Sequence, residues 1–205
     1  MQAMLEGLLV IQAGCLRVSP DGVQPGHLII WPSGYTARER DGTLEVMDVE
    51  RAVSIRLGAQ VVLSGGEMST FAAAQLPLRA PLPEGCRGLT WLLAENGVLG
   101  SVLPFMELVA HASAHDGDRV CTRAVYLSGF EASTLGGGTY EQGGLSFLTE
   151  PTVWVEGALI SREQDCSSVQ GYSFCEVLAC GRFTVCPDGC GHLGGFAFQL
   201  TGLAR

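Results

Sequence analysis

Between residues 7 and 67 the chain reads G-L-L-V-I-Q-A-G-C-L-R-V, H-L-I-I-W-P-S-G-Y, D-G-T-L-E-V-M-D-V and V-S-I-R-L-G-A-Q-V-V-L-S-G-G-E. Each run is short and apolar or alternating, and each is bounded by Gly, Pro or Asp-Gly. Alternation sends successive side chains to opposite faces of a strand, and the boundaries supply the turns. Such a series predicts strands that fold back on themselves in a compact antiparallel barrel. Strands are expected over residues 5–12, 27–31, 44–48, 53–56 and 61–63. Residues 15–18 continue in extended form after a bend at Gly14. Pro20-Asp21-Gly22 is a turn, and Asp41-Gly42 is a strong hairpin signal.

The 205 residues include 28 Gly and 9 Pro, enough chain for one large or two small domains and many tight turns. The net charge is −9, and no basic cluster occurs, so nucleic acid is not an expected partner. All 12 basic residues are Arg, which removes Schiff-base chemistry and the phosphate-binding lysine loop. No apolar run reaches the ~18 residues of a membrane-spanning helix. The segment ending Q-A-G-C at Cys15 lacks a positive flank and reads as the first strand rather than an export signal.

Further along, residues 70–85 hold three prolines among apolar residues and read as an ordered connection wrapping the first barrel. Asn96-Gly97 is read as a turn and as the boundary between domains at 1–96 and 97–205. Residues 101–115 are the one helix candidate, with Ser101 as N-cap, Pro104 in the first turn and Phe105, Leu108 and Val109 on one face. Strands are expected at 119–127, 152–160, 173–179, 182–185 and 196–200, and a Gly-rich hairpin at 134–144. Glu6-Gly7-Leu8-Leu9-Val10 before Cys15 is echoed by Glu156-Gly157-Ala158-Leu159-Ile160 before Cys166. The echo suggests that the second half is another small barrel related by duplication.

Chemistry has few places to sit. Cys175, Cys180, Cys186 and Cys190, with His192 close behind, offer soft ligands for zinc, the one cofactor in view. Disulfides and free thiols account for the same residues, and spacing does not separate the three readings. His111 and His115 would share one face of a helix, as in helical zinc sites, but no third ligand accompanies them and a dipole-stabilised helix end is the preferred reading. The Gly-rich loop lacks Lys and Arg and reads as a hairpin rather than a phosphate cradle. Trp31, Trp91 and Trp154 are candidates for a saccharide-binding face or for core.

The order G-x-L, G-C-L, an apolar strand ending W-P-x-G, then D-G-x-L-x-V-x-D and G-x-x-V-x-L-x-G-G resembles small uncharacterised OB-like β-barrel domains of bacteria. The resemblance covers the first third of the chain and extends towards Cys86 and Trp91 in E-G-C-R-G-L-T-W-L-L. It implies an all-β fold of two small antiparallel OB-like barrels with at most one short helix, and it transfers no catalytic residue. Such domains often belong to exported or lipid-anchored proteins. That and the eight cysteines point outside the cytoplasm, whereas the missing export signal points inside. The resemblance also implies a Cys15–Cys86 disulfide, since the first and last strands of a closed barrel are often neighbours. Two separate thiols are the alternative in a reducing compartment.

The expected function is a non-catalytic binding or interaction module for a protein, small-molecule or saccharide ligand. The alternative is a zinc-dependent or thiol enzyme using the C-terminal cysteines or His111 and His115. The charge balance predicts that anisotropy titrations with single-stranded DNA will show no tight, salt-sensitive complex.

Overall fold

The computed structural model describes residues 3–48, 53–73, 75–78, 82–129, 131–157, 163–169, 171–191 and 195–202. The chain is all-β and divides into two compact units, Met1–Ser101 and Val102–Arg205.

The first unit contains β1 (Ala3–Gln12), β2 (Cys15–Ser19), β3 (His27–Ile30), β4 (Tyr35–Arg40), β5 (Thr43–Asp48), β6 (Val53–Arg56), β7 (Gln60–Met68), the single-turn helix α1 (Thr70–Ala73) and most of β8 (Thr90–Pro104). Antiparallel pairing joins β1 to β2, β2 to β3, β1 to β7 and β7 to β8. A parallel pairing of Leu28, Ile29 and Ile30 with Thr90, Trp91 and Leu92 completes a five-stranded closed ring. The barrel is therefore mixed rather than purely antiparallel. Alternation fills it: Leu9, Val18, Ile29, Val61, Leu63, Trp91, Leu93 and Val98 share one core. Gly7 and Gly65 fall on the same inward parity because the walls leave no room there. A Cβ at Gly7 would lie 2.4 Å from the Ser19 carbonyl oxygen, and one at Gly65 would lie 2.2 Å from that of Leu92.

Three sequence expectations change in this unit. Residues 15–18 do not extend the first strand. Ala13 and Gly14 take positive φ (51° and 77°) and reverse the chain into a hairpin, with Gln12 opposite Cys15. The strand at 61–63 runs on through Gly65-Gly66 to Met68. Asn96-Gly97 is not a turn: Leu63 pairs with Val98 and Gly65 with Leu93, so the intervening residues bulge out of one continuous β8. Gly97 is needed at that bulge, where a Cβ would meet the Ser64 carbonyl oxygen at 2.5 Å. The boundary between units consequently falls at Ser101, beyond the expected residue 96.

The second unit contains α2 (Phe105–Ala110), a 3-10 turn (Ala112–Ala114), β9 (Arg119–Gly129), β10 (Ala132–Gly136), β11 (Thr139–Gln142), β12 (Leu145–Leu148), β13 (Thr152–Glu156), β14 (Glu163–Val169), β15 (Tyr172–Cys190) and β16 (Phe196–Gly202). Here too a ring closes. Antiparallel pairings link β9 to β10, β10 to β13, β15 to β16 and β15 to β9, and β13 runs parallel to β16. Its core gathers Val120, Leu135, Val153, Val155, Ala179, Phe183 and Leu200, with Phe105, Leu108 and Val109 of α2 packed among them. The three helix residues predicted to share a face do share it. The helix itself is shorter than expected, because residues 101–104 finish β8 and Pro104, with ψ 135°, caps rather than enters it. Among the described residues there are two short helices, where at most one was expected.

The rings correspond strand for strand: β1, β2, β3, β7 and β8 occupy the places of β9, β10, β13, β15 and β16. The sequence echo does not follow this correspondence. It matches the first strand of one ring, around Gly7, to the third of the other, at Glu156, and residues 158–160 lie outside the described residues. The strands expected at 173–179 and 182–185 are one strand, β15, which Gly181 does not break.

Between β3 and β7 the chain inserts a separate three-stranded sheet, β4-β5-β6. Its register sets Glu45 directly between Arg38 and Arg56. Glu45 is 2% exposed and accepts hydrogen bonds from Arg38 Nη2 at 3.3 Å and Arg56 Nε at 3.1 Å. Burial pushes its carboxyl pKa up, but the bonds from Arg56 and Arg38 and the charges of Arg38 and Arg40 outweigh this. The net shift is below the ordinary 4.5. A carboxyl depressed on folding stabilises the fold above its unfolded pKa and loses that contribution as pH falls through the folded value. Urea unfolding of the wild type and Glu45→Gln should therefore differ most near neutral pH, with the variant less stable. The gap should close as pH drops below 4.5.

Candidate functional site

The cysteines come together in pairs. Cys15 is bonded to Cys86, Cys121 to Cys180, Cys166 to Cys175 and Cys186 to Cys190, with no free cysteine. The four sulfurs considered as a zinc cluster are thus spread over three disulfides. A disulfide sulfur is not the thiolate that binds zinc, so the structure replaces that site with cross-links. Its reason lies in the register. Cys180 stands opposite Cys121 across β15 and β9, and Cys175 stands opposite Cys166 across β15 and β14. Sequence reasoning considered Cys175 and Cys180 but missed their partners Cys121 and Cys166, since finding them requires strand pairing and not merely strand location. His192 lies outside the described residues.

His111 and His115 do not share a helical face. The helix ends at Ala110; His111 caps it with φ −114°, and the 3-10 turn intervenes before His115. His111 Nδ1 lies 3.3 Å from the Glu107 carbonyl oxygen, and His115 Nδ1 lies 3.5 Å from Asp118 Oδ2. Among the described residues no three His, Cys, Asp or Glu side chains gather as a metal site. Trp31 and Trp91 do not line a saccharide face; both pack with the core of the first ring. Trp154, in the second unit, is partly buried and lies 5.2 Å from the ring of Phe196.

The Cys15–Cys86 bond anchors the segment before β8 to the outside of the first ring. Cys15, Leu28, Ile30 and Cys86 form a second apolar cluster, covered by Leu76, Leu78 and Leu82. Arg17, on the same outward parity of β2 as Cys15, is 6% exposed and was not anticipated. It donates from Nη1 to the Gly26 carbonyl oxygen at 2.8 Å and from Nη2 to that of Arg87 at 2.6 Å. The guanidinium thus ties the β2–β3 loop to the residue following Cys86. The loop is also braced from within: Asp21 accepts the N–H groups of Gln24 and Val23 at 2.8 and 2.9 Å, which hold its carboxyl pKa below the ordinary value. The Gly-rich region is only partly the expected hairpin: residues 134–136 belong to ring strand β10, and the hairpin β11–β12 follows, with positive φ at Gly143 and Gly144. Tyr140 and Phe147 stack on it at 5.5 Å and are both exposed, as is Leu145.

A depression of about 230 Å³ in the second unit is lined by Arg123, Ala124, Val125, Gly137, Glu176 and Val177. Arg123 and Glu176 bring charges of opposite sign to it, so it concentrates neither sign, and no thiol, hydroxyl or imidazole side chain lines it. No family model, curated protein or solved structure matches the chain.

Cys15–Cys86 closes a loop with a separation of 71 residues, a constraint on the unfolded chain worth about 4 kcal/mol in the chain-entropy account. Cys15→Ala/Cys86→Ala should lose stability of that order in urea unfolding. Peptide mapping of the unreduced wild type should recover the two cysteines in one cross-linked fragment.

Proposed function

We propose that the chain is a non-catalytic interaction module of two OB-like barrels, working in an oxidising, extracytoplasmic compartment. Two five-stranded rings, each closed by one parallel pair, support the OB-like reading and a distant duplication. A shared detail adds to it. The inward glycine on the fourth strand of each ring, Gly65 or Gly181, abuts a carbonyl oxygen of the fifth strand, Leu92 or Thr201. Four disulfides support the compartment.

The observation that carries the interaction reading is the β11–β12 hairpin. Both rings are filled by their own side chains, so a ligand meets the protein on its outside. The hairpin is a two-stranded sheet of its own, its outer edges pairing with no further strand among the described residues. It presents Tyr140, Leu145 and Phe147 to solvent. Open backbone edges beside exposed aromatics suit an extended peptide segment of a partner protein, which would add a strand and pack its apolar side chains on the rings.

Panning a random peptide library against the oxidised full chain tests this. Selected peptides should lose at least tenfold in affinity on Tyr140→Ser/Phe147→Ser, with circular dichroism unchanged. Equal binding to the variant would refute the hairpin as the site. One stoichiometric zinc by elemental analysis would instead favour a metal enzyme.

A further inference from the structure

We propose that Cys186–Cys190 is a redox-active disulfide that exchanges with the dithiol of a partner protein. The proposal is independent of the reading of the β11–β12 hairpin.

Exchange has two structural requirements. A thiolate must reach one sulfur, and the other sulfur must leave as a thiolate that its surroundings can solvate. The four disulfides divide sharply on this. Cys121 and Cys180 are 0% exposed, and Cys15 and Cys86 are 3% and 7% exposed, so neither pair offers a sulfur to attack. Cys166 is exposed, but its partner Cys175 is 6% exposed and packs within the apolar core of the second ring. A thiolate released there would be born in hydrocarbon, where the charged form is disfavoured. Cys186 and Cys190 are both partly exposed, and Pro187 and Asp188 between them are exposed. Either sulfur can be attacked, and either can leave into water.

Placement separates this pair from the others a second time. Each of the other bonds joins segments far apart in sequence or two different strands, whereas Cys186 and Cys190 are four residues apart on β15. The residues between them bulge out where pairing with β16 skips from Val185–Phe198 to Cys190–Phe196. Opening the bond releases only this bulge and leaves the ring pairings of β15 from Gly181 to Val185 in place. The loop also adjoins a natural reporter. Gly191 lies so close to the rings of Trp154 and Phe196 that a Cβ there would be 2.7 Å from each.

The reaction balances with the partner alone. A partner thiolate attacks Sγ of Cys186 or Cys190, forming a mixed disulfide and releasing the other cysteine as a thiolate, which takes up a proton. The partner's second thiol loses its proton and attacks its own sulfur in the mixed disulfide, releasing the second cysteine, which is protonated in turn. The partner ends as a disulfide and this chain as a dithiol, with one electron pair transferred.

The test titrates the oxidised full chain with dithiothreitol, alkylates it and maps the labelled peptides. Cys186 and Cys190 should label together at a dithiol concentration at least tenfold below that needed for any other cysteine. Circular dichroism should be unchanged and Trp154 emission altered. In a second arm, the oxidised chain should convert a synthetic two-cysteine peptide to its disulfide one for one, and Cys186→Ala/Cys190→Ala should keep its fold and lose this. Labelling of Cys166 at the same concentration or lower, unfolding on the first reduction, or undiminished peptide oxidation by the double variant would each overturn the proposal.

Discussion

Ring closure is the constraint on which the rest of this structure depends. A sheet with two free edges exposes rows of unpaired N–H and C=O groups, and joining its ends removes both rows. Here closure rests in each unit on one short parallel pairing, β3 with β8 and β13 with β16. A parallel pair cannot be made by a tight turn, so the chain must travel between its partners. In the first unit that journey carries the β4–β6 sheet, the return strand β7 and the apolar connection to β8. The connection does more than span the gap. Its leucines cover the outer faces of Leu28 and Ile30, and its end is fixed by Cys86 and by the Arg17 hydrogen bond to Arg87. The strand that closes the ring is thus delivered by a segment pinned to the strands it must meet.

Alternation and turn chemistry made much of this legible. Asp41-Gly42, with positive φ at both residues, forms the hairpin that its sequence signals, and Phe105, Leu108 and Val109 fall on one buried face. Asn96-Gly97 carries the same local signal as a hairpin but serves as a bulge, because Ser64 on the neighbouring strand leaves room only for glycine. Local chemistry fixes where the backbone can bend. It does not fix what lies across from the bend. The cysteines illustrate the same limit: their spacing left metal, disulfide and free-thiol readings open, while their partners are set by register between paired strands. His111 and His115 depended on a helix continuing past Ala110. Tertiary packing of its short apolar face, not propensity, decides its length.

Two buried charged groups show how a lysine-free chain uses arginine. Arg17 is satisfied by backbone carbonyls in two loops, and Glu45 by guanidinium groups on the strands either side. Planar guanidinium groups carry several donors in fixed directions, which suits both tasks better than a point charge on a flexible stem. Neither role announces itself in sequence, because each emerges only once pairing places the residue beneath other chain.

The disulfides are unevenly distributed, one in the first unit and three in the second. In the first, the added sheet contributes Tyr35, Val46 and Ile55 to the ring's own core, and one long-range bridge ties down the connection. In the second, β14 lies along the first half of β15, and Cys166, Ser167 and Ser168 on it are exposed. A strand with so little apolar surface to bury gains little from the hydrophobic effect, and among the described residues it pairs with β15 alone, which leaves it an edge. Its covalent attachment through Cys175, a residue packed in the core, supplies an anchor that its own side chains do not. The Cys121–Cys180 bond likewise lies between two strands that already pair over their length, at a point fully removed from solvent. Cys186–Cys190 fits neither pattern: it joins two positions four residues apart on one strand, across the bulge in its pairing with β16.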